Sequence, residues 1–204
     1  MNKNLKLRAI VWEIIVPIVL YYIVFLSAMY FIFAFIGHTA STYMIAQIIS
    51  AAITIPFMYF ASYKPTQQMF VKKTKIDRAL FINVIWVIVI TLFISFALNN
   101  IITMSPLIGL SEGYARANES FYASTLVIEL IGSAILSPIM EELVFRGIVF
   151  GNMRKIMNVP QAVFLSALLF GLIHFNIVQF VYAFLLGLVL ACLLYTSPSP
   201  RDRQ

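Results

Sequence analysis

The chain has 204 residues, of which 62% are hydrophobic and 11% charged, with a formal net charge of +6. A soluble domain carries about 25% charged residues, so a soluble fold is excluded. The basic residues cluster at the flanks of apolar runs and read as topology signals, which excludes a nucleic-acid-binding patch, and the single Cys192 excludes an internal disulfide framework.

Apolar runs of about 20 residues recur along the chain, and each can cross a hydrocarbon core of about 30 Å as a helix. Backbone that faces lipid must satisfy its own hydrogen bonds. The expected fold is therefore all-α, a polytopic transmembrane helical bundle of about six spans forming a single membrane domain. Lys3, Lys6 and Arg8 precede a first span over 9–37, which is too long for a signal-peptide core and lacks a small-residue cleavage site. A second span follows over 41–62, then a basic loop with Lys64, Lys72, Lys73, Lys75 and Arg78, and a third span over 79–104. Glu112, Arg116 and Glu119 mark a polar loop, which closes the N-terminal part at about residue 120.

The chemistry-bearing helices are expected over 121–195. The fourth span starts near Tyr122, Arg154 and Lys155 mark a turn at 152–158, the fifth span runs over 159–175 and the sixth over 178–195. Basic residues place the N-terminus, the 63–78 loop and the 152–158 turn on the cytoplasmic side, which agrees with simple alternation. The tail "LLYTSPSPRDRQ" switches abruptly from apolar to Ser-Pro repeats and charge. It fits a short cytoplasmic tail, but the favoured expectation is that the natural chain continues differently after about Leu194, the last residues resembling translated sequencing-adapter readthrough.

The stretch "SPIMEELVFRG", residues 137–147, puts three charges into an oily segment. A charge at mid-bilayer costs about 3 kcal/mol on insertion scales and more in simulation, so an intramembrane ionisable residue points first to function. Glu142 and Arg146 are four apart, about 40° in projection on a helix, and in the favourable order for an ion pair. Glu142 is expected to be the buried member, neutralised and held by Arg146 as its counter-ion. Glu141 points about 140° away from Arg146 and has no local partner. A carboxylate without a counter-ion in a low-dielectric site takes up a proton more readily, which suits a general base.

His174, in "LLFGLIHFN", is the matching group on the fifth span. Glu141 lies about 21 Å along its helix from the 152–158 turn and His174 about 22 Å along the next, so a hairpin would bring them level. Gly147 and Gly151 on one helix, and Ser166, Ala167 and Gly171 on the other, are expected to allow a close approach. The stretch 122–155 is too long for one straight span, and Pro138 is expected to kink or break it just before the motif.

"EELVFR", 23 intervening residues and then "FGLIH" resemble the paired motifs of the CAAX-protease and bacteriocin-processing family of intramembrane proteases (CPBP, Abi). The first family motif is two Glu, three residues and Arg, here Glu141, Glu142 and Arg146. The second is Phe, three residues and His, here Phe170 and His174. The likeness covers about residues 120–190. It implies an intramembrane endopeptidase in a bacterial-type cell membrane, acting on a peptide or protein substrate at the lipid bilayer. Glu141 and His174 would activate the attacking water, with Glu142, Arg146 and Phe170 in support. A third family motif, a His followed four residues on by Asn or Asp, has no counterpart here, since the other histidine is His38. Catalytic zinc usually takes three protein ligands, and Glu141 and His174 supply two, so no cofactor is assigned and the metal question stays open.

Plainer readings also fit. The four polar residues can form a packing ion network in a non-catalytic immunity or scaffold protein. A transporter with proton-carrying carboxylates is a further alternative, but its symmetry-related interrupted spans are not found. Glu13 is expected at the interface, Glu129 at the interface or a water-filled cavity, His38 in a loop, and Asn176 as a cavity-lining or helix-capping residue.

Overall fold

In the computed structural model, residues 8, 11–64, 78–115, 118 and 124–196 are described. Lys3, Lys6, Lys72, Lys73, Lys75, Arg116, Glu119 and the 197–204 tail lie outside them. The described residues are helical and hold no strand, so the all-α membrane bundle is borne out. Three helical stretches are long and apolar enough to cross a membrane, at Trp12–Ile36, Ser41–Tyr63 and Phe81–Thr103. Shorter apolar helices occupy Val159–Leu172 and Ile177–Leu193, the two stretches expected as the fifth and sixth spans.

The helices form two compact units interleaved along the chain. The first comprises Met1–Met69 and Arg116–Met157. Its α1 (Val16–Ile36) follows a π-helical turn at Val11–Ile15, with Pro17 at the first turn, where a missing N–H costs nothing. Gly37, at φ 102°, adopts a backbone that a side chain would strain, and closes the α1–α2 hairpin. His38 sits in that connection, as expected, with its ring 4.4 Å from Phe33. Thr39 then caps α2 (Ala40–Met58): its hydroxyl accepts from the Thr42 N–H while the Thr42 hydroxyl accepts from the Thr39 N–H, a reciprocal capping box. A π-helical segment, Tyr59–Tyr63, extends α2 past Pro56.

Residues 126–156 form one helical path of alternating winding: α4 (Leu126–Glu129), a π segment Leu130–Leu136, α5 (Ser137–Glu141), a π segment Glu142–Phe150 and α6 (Gly151–Ile156). Pro138 does not break this path. It falls in the first turn of α5, where winding changes from π to α, and the wider turn before it accommodates the missing donor.

The path runs parallel to α2, because its contacts climb both helices together. Gly132 faces Ile48, Ser137 accepts from Gln47 Nε2, and the Thr54 hydroxyl meets Met140 Sδ at 3.6 Å. At the end of α2 the Tyr63 ring lies against Gly147, so closely that a Cβ there would collide with the ring. Gly147→Leu is expected to destabilise the folded protein by about 1–3 kcal/mol through overpacking. Thermal unfolding in detergent checks this, with Tyr63→Ala restoring most of the loss.

The start of α1 meets the far end of the same path. Asn152 Nδ2 donates to the Glu13 carbonyl at 3.0 Å, and Lys155 Nζ pairs with Glu13 Oε2 at 3.2 Å and also donates to Asn152 Oδ1. Glu13, Tyr63 and Lys155 thus mark one end of this unit, together with Lys64 over the Phe60 ring and Arg154 over the Phe150 ring. Its core is drawn from Met44, Ala46, Met58, Val144, Ile148, Val149 and Phe150.

The second unit comprises Phe70–Ala115 and Asn158–Gln204. It holds α3 (Arg78–Thr103), a 3-10 turn Pro106–Leu110, α7 (Val159–Leu172) and α8 (Ile177–Thr196). Asn158 caps α7 through the Gln161 N–H, with Pro160 in the first turn. Helices α7 and α8 form a tight hairpin: a Cβ at Gly171 would lie 3.0 Å from the Phe180 carbonyl oxygen, and one at Gly187 would lie 3.2 Å from Ala167 Cβ. Of the small residues singled out on the fourth and fifth spans, Gly147 meets the α2 extension, and Gly171 and Ala167 meet α8. Along α3, Phe81, Trp86, Leu92, Phe93 and Phe96 are each exposed by more than half. A patch of that size is unfavourable in water and ordinary in lipid.

Candidate active site

The carboxylate motif lies where α5 passes into the π segment Glu142–Phe150. Such i→i+5 winding is rare and frequent at functional sites. Met140, Val144 and Phe145 are buried on either side, which fixes how the polar residues between them are presented. Arg146 Nη1 stands 3.4 Å from Glu142 Oε1, the ion pair expected from the four-residue spacing.

The burial is the reverse of the expectation. The Arg146 side chain is 7% exposed and that of Glu142 47%, so the guanidinium is the member the fold encloses. The Arg146 side chain is enclosed by the fold, and the half-exposed Glu142 carboxylate reaches back to it. Glu141 is half-buried at the end of α5. Tyr21 and Tyr22 of α1 lie within electrostatic range of its carboxylate. Neither tyrosine stands out in the sequence as a polar partner, because α1 is apolar throughout and aromatics in such a run read as packing or lipid-facing residues. The available signal was position: Tyr21 continues the three- and four-residue spacing of Ile14 and Pro17.

The imidazole motif lies in the second unit, at the end of α7. His174 Nδ1 is 2.8 Å from the Phe170 carbonyl oxygen, and the two rings meet edge to face at 5.3 Å. A carbonyl only accepts, so Nδ1 carries the proton and Nε2 is left with its lone pair. The four-residue spacing from Phe to His therefore has a physical basis: one helical turn sets the Phe170 ring edge to face against the imidazole, while the backbone carbonyl at 170, which any residue would supply, fixes the tautomer. Phe175 follows at φ 53°, a left-handed backbone uncommon for a bulky residue, in the turn that leads from the end of α7 into α8. Asn176 resolves as a cap: its Oδ1 accepts from the Gln179 N–H at 2.8 Å, and its Nδ2 donates to the His174 carbonyl at 3.2 Å.

Of the residues singled out from sequence, the structure brings Glu142 to Arg146 and Phe170 to His174. Glu141 and His174 belong to separate units. Glu13 is exposed and paired with Lys155, in keeping with an interfacial position, and Glu129 is half-buried. Among the described residues no three of His, Cys, Asp and Glu come together as metal ligands. No chemical step here is routed through a metal.

The family model described as type II CAAX prenyl endopeptidase Rce1-like matches residues 123–199, a stretch that contains both motifs. The resemblance carried by "EELVFR" and "FGLIH" is borne out over that stretch. No curated protein and no solved structure matches the chain.

Proposed function

We propose that this chain is an intramembrane endopeptidase of the CAAX type, in which Glu141 and His174 activate a water molecule against a peptide bond of a membrane-associated substrate. The observation that carries the reading is the family match over 123–199, which takes in both motifs complete. Glu141 removes a proton from the water as the oxygen attacks the carbonyl carbon. The tetrahedral intermediate then collapses, its C–N bond breaks, and the departing amine takes the proton. His174 accepts through Nε2 and holds the water in line, its ring steadied by the Phe170 carbonyl. Glu142 and Arg146 keep the helix around Glu141 in register.

The N-terminus faces the cytoplasm in this reading, in a bacterial-type cell membrane. The gathering of Glu13, Lys64, Arg154 and Lys155 at one end of the first unit supports that orientation, since basic residues concentrate on the cytoplasmic side.

The test is direct. The full chain is reconstituted in lipid vesicles and given fluorogenic peptides ending in a CAAX sequence, with and without a prenyl group. Release of the C-terminal tripeptide is the expected result. Properly inserted protein that releases nothing from either peptide would favour the non-catalytic immunity or scaffold reading.

A further inference from the structure

We propose that Asn176 is a positioning residue for His174, its side-chain amide clamping the turn that aims the imidazole. This rests on the reading of His174 as the group that holds the water, and adds to it a residue that neither motif contains.

The turn between α7 and α8 needs such a clamp. The His174 N–H donates to the Gly171 carbonyl at 3.2 Å, and the Phe175 N–H donates to the Leu172 carbonyl at 3.3 Å. These three-residue bonds tighten the end of the helix, as orphan carbonyls there require. Phe175 then takes its left-handed backbone, at φ 53°. A bulky residue resists that conformation and keeps it only where its surroundings fix it.

Asn176 supplies the fixing bonds. Its Nδ2 donates to the His174 carbonyl at 3.2 Å, which spans Phe175 and ties together the backbone on either side of it. Its Oδ1 accepts from the Gln179 N–H at 2.8 Å, and Nδ2 also donates to Gln179 Oε1 at 2.5 Å. A backbone N–H only donates and a carbonyl only accepts, so both neighbours demand the same orientation of the amide. The stem is backed as well. Gly113, in the helical turn that Ser111 opens by accepting from the Tyr114 N–H, comes so near that a Cβ there would lie 3.2 Å from Asn176 Cβ. All of these residues belong to the second unit.

Capping alone does not call for asparagine, since Asp, Ser and Thr accept at a helix N-terminus as well. Aspartate has no donor, and a hydroxyl is a single oxygen on a shorter stem. The amide alone joins an acceptor for α8 to a donor for the carbonyl before it. His174 is thereby held twice, at its ring by the Phe170 carbonyl and at its backbone by Asn176. If the turn relaxes, the ring leaves the Phe170 carbonyl, and the tautomer with a lone pair on Nε2 is no longer selected.

The experiment uses the full chain in vesicles with the prenylated peptide. Asn176→Ser keeps a capping acceptor and removes the amide donor. It is expected to lower kcat roughly fivefold, the equivalent of one neutral hydrogen bond, with KM held within about twofold. The unfolding midpoint in detergent is expected to stay near that of the wild type, because the cap is retained. Solid-state nitrogen NMR of isotope-labelled histidine gives a second readout that needs no turnover. The chain has two histidines, and the signals lost in His174→Ala identify His174. One tautomer is expected in the wild type and a mixture of both in Asn176→Ser, which a purely capping role would not produce. An unchanged tautomer overturns the proposal whether or not the protein cleaves peptide, and so does a wild-type kcat in Asn176→Ser. Mixed tautomers in a protein whose His174→Ala variant still cleaves would uphold the clamp and remove the role of His174 alone. Should Asn176→Ser insert poorly, Gly113→Val, which presses on the Asn176 stem, is expected to give the same mixture, and an unchanged tautomer there overturns the proposal equally.

Discussion

Glu141→Gln is expected to reduce peptide cleavage by about 10³-fold or more, within the range general-base groups contribute, and His174→Ala is expected to do the same. Glutamine keeps the size and hydrogen-bonding shape of the side chain at the end of α5 but cannot accept a proton from water. Packing around Met140, Val144 and Phe145 is untouched, so membrane insertion and folded yield stay at the wild-type level. The informative control is the neighbouring carboxylate. Glu142 is half-exposed and paired with Arg146, and in the proposed mechanism it supports the helix and takes no part in proton transfer. Glu142→Gln is expected to retain readily measured cleavage and to lose stability instead. Rates measured in vesicles, set beside yield from the same membranes, separate the two carboxylates. Wild-type turnover by Glu141→Gln or by His174→Ala would remove the mechanism.

Arg146→Ala is expected to cost about 2–3 kcal/mol of stability. Its origin differs from what the sequence suggested. Had Glu142 been the buried partner, deleting Arg146 would strand a charge in a low-dielectric site, at about 3–5 kcal/mol. In the structure the enclosed member is Arg146, and the carboxylate left behind is already half-exposed. What is lost is the enclosed stem of Arg146, a large-to-small change in a packed interior. Arg146→Met, which keeps the stem and discards the charge, is therefore expected to recover most of the loss. Chemical unfolding in detergent distinguishes the two accounts, because a charge-driven effect would leave methionine as damaging as alanine.

The sequence carries most of the helical layout because apolar run length and basic flanks act locally. The expected 79–104 span appears as Arg78–Thr103, and the hairpin turn after α1 falls at His38, where polar residues interrupt the apolar pattern. The Glu142–Arg146 and Phe170–His174 pairs were legible for the same reason, since each is one helical turn apart. Relationships set by tertiary packing were hidden. Which member of the ion pair is enclosed depends on what packs beside it. Nor does composition reveal that Gly147 accommodates Tyr63, 84 residues earlier in the chain.

The bond between the Glu13 carbonyl and Asn152 has a consequence for biogenesis. Its two ends are separated by 139 residues, and synthesis proceeds at about 5–20 residues per second. The start of α1 therefore waits on the order of ten seconds for the segment that completes its polar docking. During that interval its Ile14–Pro17–Tyr21 stripe is shielded by α2 and lipid alone. A nascent chain arrested before residue 152 should on that account be a preferred target for membrane quality-control proteases, and one arrested well beyond it should not.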